Sequence, residues 1–180
     1  MASVVNLAQA YERYISLEWT PNLAGPQKVL FAVYEPRDER RIRARLGEFE
    51  NATKRAGRSW LACDLTTAFA QWIAQHKYRD AYFEDPDDMT IALGAFETFA
   101  AKLVLDVLQD PKADERSVVA VYGVASLFGF MKVSRLVEMV EDAIPGRLLL
   151  FFPGHHENGV YRLMDARDGW NYHAIPISSE

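Results

Sequence analysis

Four short runs hold the side chains best suited to chemistry: Glu35-Pro36-Arg37, Asp64-Leu65-Thr66-Thr67, Gly123-Val124-Ala125-Ser126 and Pro153-Gly154-His155-His156. Each follows an apolar segment that reads as a β-strand. In an open parallel sheet, ligands bind beyond the carboxyl ends of the strands. Parallel strands would therefore bring Glu35, Asp64, Thr66, Ser126 and His155 to one rim, where carboxylates, hydroxyls and imidazoles could serve a small enzyme or a nucleotide-binding regulator. The same residue types are what turns and helix caps need, and every α/β protein has such a rim.

Specific chemistries fail on their motifs. A phosphate-cradling loop would be Gly-rich and end in Lys-Ser/Thr. The first strand instead runs into Glu35-Pro36-Arg37-Asp38-Glu39, whose acids repel phosphate. Asp64 resembles the acidic end of a magnesium-holding strand, but without the Lys loop the chain reads at most as an inactive relative of a nucleotide-binding fold. His155, His156 and Glu157 are adjacent, and adjacent residues seldom ligate one ion. Asp165 and His173 would join them only if the terminal segment folds back. No His-Glu-x-x-His and no paired cysteines occur. Ser126 lacks the Gly-x-Ser-x-Gly elbow, and Cys63 lies in an apolar strand, where a thiol is normally inert. The expectation is no catalytic residue, no metal and no cofactor.

Binding is the other class. Arg37, Arg41 and Arg45 recur at i, i+4 and i+8 within a basic stretch ending at Arg58, so a continuous helix would put them on one face. That face would meet DNA backbone, or be solvated and paired with Glu39, Glu48 and Glu50. With a net charge of −5, pairing is the favoured reading. Toward the C-terminus His155, His156, Tyr161, Arg162, Asp165, Trp170 and Tyr172 mix aromatic and charged groups as interface centres do. The aromatics would equally serve as the cover of a sheet edge. The stretch from Tyr78 to Phe83 is a second aromatic candidate.

The elements that must position these groups follow from periodicity. Val4, Ala8, Tyr11 and Ile15 mark an amphipathic helix over 4–17. Val29 to Tyr34, Trp60 to Cys63, Val118 to Tyr122 and Leu148 to Phe152 read as strands buried on both faces. A helix between the first two carries Ile42, Leu46, Phe49 and Thr53 inward. The next carries Phe69, Trp72 and Ile73, capped by Thr66 or Thr67. A long helix starts at Asp87 or Asp88, with Leu93, Phe96, Ala100, Leu103 and Val107 on its stripe; another runs from Val133 to Ile144. The fourth strand is expected to stop at Pro153-Gly154. Tyr161 to Leu163 and Tyr172 to Ile177 then form a terminal antiparallel hairpin around Asp168-Gly169.

Alternating strand and helix argue for an α/β domain with a mostly parallel sheet, helices on both faces and a C-terminal antiparallel hairpin. The expected organisation is one domain over 1–180, with an N-terminal helix in 1–20 and the hairpin in 160–178. A length of 180 residues with 49% hydrophobic and 25% charged content fits one globular core. No apolar run approaches the roughly 20 residues of a membrane helix. One cysteine and an N-terminus without an export signal lead to an expectation of a cytoplasmic protein.

At several of these places the chain resembles the BrxB family of bacteriophage-exclusion (BREX) defence systems. The landmarks are Ile15-Ser16-Leu17-Glu18-Trp19, the strand Val29 to Tyr34, Arg43 to Glu50 with Ala52-Thr53, and Asp64-Leu65-Thr66. They continue with Gly123-Val124-Ala125-Ser126-Leu127-Phe128-Gly129-Phe130, Phe151-Phe152-Pro153-Gly154, Tyr161-Arg162-Leu163-Met164-Asp165 and Asp168-Gly169-Trp170-Asn171-Tyr172 with Pro176. The resemblance implies a small cytoplasmic component of a machine that methylates host DNA and blocks phage replication. Implied partners are an alkaline-phosphatase-like protein, an AAA-type ATPase and an adenine methyltransferase, with DNA reached through the complex. It carries over no catalytic residue. A non-enzymatic adaptor is therefore expected, with the phosphatase-like protein bound by the segment from Gly154 to Tyr172.

Overall fold

The computed structural model describes residues 4–166 and 169–178. Its centre is a parallel sheet of β1 (Val29–Tyr34), β2 (Ser59–Asp64), β3 (Ser117–Tyr122), the first half of β4 (Arg147–Glu157) and β7 (Ile175–Ile177), in the order β2-β3-β4-β1-β7. Helices cover both faces, so the expected α/β class holds. β1, β3 and β4 are the apolar runs VLFAVY, SVVAVY and RLLLFFPGHHE, which suits strands with two covered faces. β2 departs from expectation. It is an edge strand with Ser59, Ala62 and Asp64 exposed, not a strand buried throughout.

One face is covered by α1 (Val4–Ile15) and by α2 (Glu39–Ala44) with α3 (Leu46–Arg55). Leu7, Tyr11, Ile42 and Phe49 pack there on Leu30, Leu149 and Phe151. The Tyr11 and Thr53 hydroxyls lie 2.7 Å apart inside this layer, and Thr53 also donates to Phe49 O. α2 and α3 were expected as one helix. The chain breaks at Arg45 (φ −116°), so Arg37, Arg41 and Arg45 do not share a helical face.

The other face carries α4 (Ala68–Gln75), α5 (Arg79–Glu84), α6 (Leu93–Leu108) and α7 (Val133–Val140). The long helix begins differently from expectation. Asp85 accepts from Asp87 N and caps a 3-10 segment, Pro86–Ala92, and α geometry starts only at Leu93. Phe96, Ala100, Val104 and Leu108 form its buried line, toward Trp72, Val119 and Leu136.

The C-terminal segment is the main correction. β4 does not stop at Pro153-Gly154. It runs on to Glu157, turns at Asn158-Gly159, and pairs antiparallel with β5 (Val160–Leu163), which pairs with β6 (Trp170–Asn171). Asp168, the expected turn residue, lies outside the described residues. Ile175 to Ile177 leave this ribbon altogether and lie parallel to β1, with Leu30 opposite Ile175. The sheet edge is thus parallel. Pro176 is tolerated because β7 is an edge strand that owes no second row of hydrogen bonds.

Candidate functional site

The expected rim forms, but it does not converge. β2 and β1 are separated by β3 and β4, so Asp64 and Glu35 end strands about 14 Å apart at ordinary strand spacing. At the β2 end, Asp64 Oδ1 accepts from Thr66 N at 2.9 Å and also from the Thr66 hydroxyl. Gly123, at φ +78°, presses against this turn. A Cβ there would stand 2.6 Å from Thr66 N and 2.9 Å from Asp64 Oδ1, so only glycine lets the β3 loop pack directly on this turn. Thr67, expected as a cap, makes no side-chain cap bond and instead accepts from Gln71 Nε2 at 2.9 Å.

Arg43 braces the β2 end of the rim. It donates through Nε to Glu39 at 2.9 Å and through Nη2 to Thr66 Oγ1 at 2.5 Å, and Nη1 lies 3.8 Å from Asp64 Oδ2. Glu39 also accepts the Tyr34 hydroxyl. Burial, then the hydrogen bond to Glu39 and the Glu39 charge, push the Tyr34 phenol far above its ordinary range. In the sequence Arg43 reads as one cation of a basic stretch and as the start of the landmark Arg43 to Glu50; nothing there marks its reach to Thr66 and Asp64. The other rim groups stand apart. Ser126 Oγ donates to carbonyls of Leu65 and Gly123 at 2.7 and 2.8 Å, so it ties two loops. His155 Nδ1 lies 3.8 Å from Glu35 Oε1, too far for a hydrogen bond but close enough for charge pairing when protonated. Among the described residues, no hydrogen bond or ion pair joins Glu35 and His155 to Asp64 and Thr66.

The basic stretch is largely neutralised. Arg41 pairs with Asp38, Arg45 with Glu48, Lys54 with Glu50 and Arg55 with Glu12, at 2.8, 2.7, 2.5 and 2.6 Å. Among the described residues, no group of three or more His, Cys, Asp or Glu is placed to hold a metal ion. No helix among them is long and apolar enough to cross a membrane.

Cys63 is 7% exposed, and burial, followed by the Asp64 charge, pushes its thiol up to about 11. At neutral pH the thiolate is a very small fraction, and the thiolate is the nucleophile. A thiol-specific disulfide reagent is expected to modify the native protein slowly at pH 7.5 and the denatured protein at once. Fast stoichiometric labelling of the native protein would contradict this placement.

The C-terminal candidates divide between the two faces of the ribbon. β5 alternates: Tyr161 and Leu163 point inward, Val160 and Arg162 outward. Tyr161 is fully buried; its hydroxyl donates to Ala174 O at 3.1 Å, and burial raises its pKa to about 12. Tyr161 is therefore core, not contact surface. It stacks on Trp170 at 5.3 Å, and both meet Phe31 of β1, at 4.7 and 5.5 Å. Tyr172 also reaches Phe31 and donates its hydroxyl to Glu141. The aromatics thus pack over Phe31 on β1. His155 and Arg162 sit opposite each other on the outer face, and His156 lies 4.3 Å from the Tyr161 ring. Asp165 is exposed and forms no ion pair with Arg162.

Between this ribbon, α6 and the loop from Phe128 to Val133 lies a cleft of about 730 Å³. Met131, Val133, Leu163 and Trp170 supply apolar lining, and Glu97, Lys132 and Asp165 charge its margin. Phe128, 42% exposed, forms part of the wall next to Gly129 (φ +84°). Asp165 and Trp170 were expected at a site, whereas Phe128, Lys132 and Glu97 were not. The available signal was Leu127-Phe128-Gly129-Phe130, an aromatic-rich run without helical period. A second apolar surface, also foreseen, is α5 with its flanks, where Tyr78, Phe83 and Ile91 are exposed.

No family model, curated protein or solved structure matches the chain. The BrxB resemblance therefore rests on the residues alone.

Proposed function

We propose that this chain is a non-enzymatic adaptor that docks a partner protein in the cleft beside Phe128 and Trp170. The observation that carries the reading is the cleft itself: an apolar lining with an exposed aromatic at its wall and charges of both signs at its margin. Such a mix of aromatic anchor and polar rim is what protein interfaces use. The rim at the strand ends supports the same reading, because Asp64, Thr66 and Ser126 are engaged with neighbouring groups of the fold. The BrxB resemblance gives the proposal its biology. The chain would act in the cytoplasm within a BREX-type assembly, bind its alkaline-phosphatase-like component, and meet the ATPase, the methyltransferase and DNA through that complex.

Co-expression with that component, followed by size exclusion, tests the proposal. A stoichiometric complex is expected, and Phe128→Ser should weaken it about ten-fold or more. Trp170→Ala is the poorer probe, since Trp170 also packs on Phe31 and Tyr161. No complex, or a complex indifferent to Phe128→Ser, would overturn the assignment.

A further inference from the structure

At the opposite end of the sheet from the rim, cations collect that form no ion pair among the described residues. Arg58 precedes β2, Arg116 precedes β3, Arg147 opens β4 and Lys28 precedes β1. All four line a pocket of about 530 Å³. Arg147 is only 5% exposed, yet among the described residues its side chain donates only from Nη1, to the adjacent Gly146 carbonyl at 3.0 Å, and its Nε finds no partner there. Trp19 beside it is in the same condition, with a buried Nε1 that finds no acceptor among the described residues. The guanidinium carbons of Arg58 and Arg147 lie 3.7 and 4.4 Å from the Trp19 ring centre.

No carboxylate among the described residues comes within ion-pair distance of Arg58, Arg116 or Arg147. Arg58 donates to the carbonyls of Ile15 and Leu17, Arg116 to that of Gly57, and Lys28 to that of Ile144. Glu18 and Glu115 line the pocket without pairing. Asp114, next along, is held by Ser117 Oγ and the Arg116 amide. A buried, unpaired cation is costly. The aromatic face offsets only part of that cost. Arg58 feels the crowding: desolvation, then the charges of Arg116 and Arg147, lower its pKa.

We infer that this pocket is an anion site that takes the phosphate group of a small molecule, with Arg58, Arg116 and Arg147 as its donors and Trp19 Nε1 beside them. Several guanidinium forks suit a doubly charged tetrahedral oxyanion better than a single carboxylate. The volume lies in the range of small-molecule sites, about 300–1,000 Å³, so the ligand would be larger than the ion. A second pocket of about 430 Å³ shares Trp19 and Arg147 as a wall and would receive the remainder. The site is independent of the docking cleft.

Thermal unfolding in inorganic phosphate, compared with chloride and with acetate at equal ionic strength, tests it. Phosphate at ten times its dissociation constant should raise Tm by about 3–6 °C over chloride. The rise should vanish in Arg116→Gln, whose exposed side chain leaves the fold intact, and in Arg58→Gln. Arg147→Met should abolish it too, while stabilising the protein in phosphate-free buffer by removing an unpaired buried charge. An equal or larger rise with acetate would replace phosphate by carboxylate as the ligand group and overturn the assignment. No rise over chloride, or one that survives Arg116→Gln and Arg58→Gln, would eliminate the site.

Discussion

Phe31→Ala is expected to lower the stability of the fold by about 3–5 kcal/mol. The side chain is fully buried at the centre of β1. Its ring meets Phe152, Tyr161, Trp170 and Tyr172 at centroid distances of 5.4, 4.7, 5.5 and 6.2 Å. Removing it opens a cavity between the sheet and the ribbon, and forfeits edge and tilted aromatic contacts worth about 0.5–1.5 kcal/mol a pair. Native domains carry about 5–15 kcal/mol in all, so this one change removes a large share. Urea unfolding measures it directly. A loss under 1 kcal/mol would mean that the ribbon does not rest on β1 as described.

Gly154→Ala should also be damaging, less in size and by a different route. Gly154 lies opposite Leu163 where β4 passes from the parallel sheet into the ribbon. A Cβ there would overlap the Arg162 carbonyl oxygen and stand 2.9 Å from Phe152 Cε1. Neither neighbour can yield: one is strand backbone, the other a fully buried ring. Overpacking of this kind costs about 1–3 kcal/mol, and the relief available is separation of β5 from β4. Amide exchange is expected to quicken across Val160 to Leu163 while β1 and β3 keep their protection. Unchanged exchange in β5 would contradict the close approach.

These two residues also show where the sequence was legible. Val29 to Tyr34, Val118 to Tyr122 and Leu148 to Phe152 announce themselves because a strand covered on both faces must be apolar throughout. Helix faces such as Val4, Ala8, Tyr11 and Ile15 follow from period alone. Pro153-Gly154 misled for a physical reason. The pair usually breaks a strand, but here Pro153 accepts from Met164 N at 2.8 Å and Gly154 lets β5 come close. Tyr172 to Ile177 reads as a hairpin arm because a segment as short as Ile175-Pro176-Ile177 carries no sign of direction, and its partner β1 is far away in the chain.

The candidate rim was legible as a set of residues and illegible as a site. Which strands are neighbours is decided by crossovers, and with β2 at the edge, Asp64 ends far from Glu35. The cleft was half legible: Trp170 and Asp165 stood out by type, whereas Phe128 became visible only through its exposure in a loop that otherwise packs inward. The cation pocket at the other end of the sheet is illegible in the sequence, where Arg58 reads only as the end of a basic stretch, because Arg58, Arg116 and Arg147 are far apart along the chain and meet through parallel strand starts.

Hydrogen exchange of the chain alone and in complex with the phosphatase-like component tests the central claim most directly. The adaptor reading predicts new protection from Phe128 to Val133 and in β5 and β6, with the strand-end turns at Glu35, Asp64 and Thr66 unchanged. Protection confined to those turns, with the cleft exchanging as in the free chain, would contradict it.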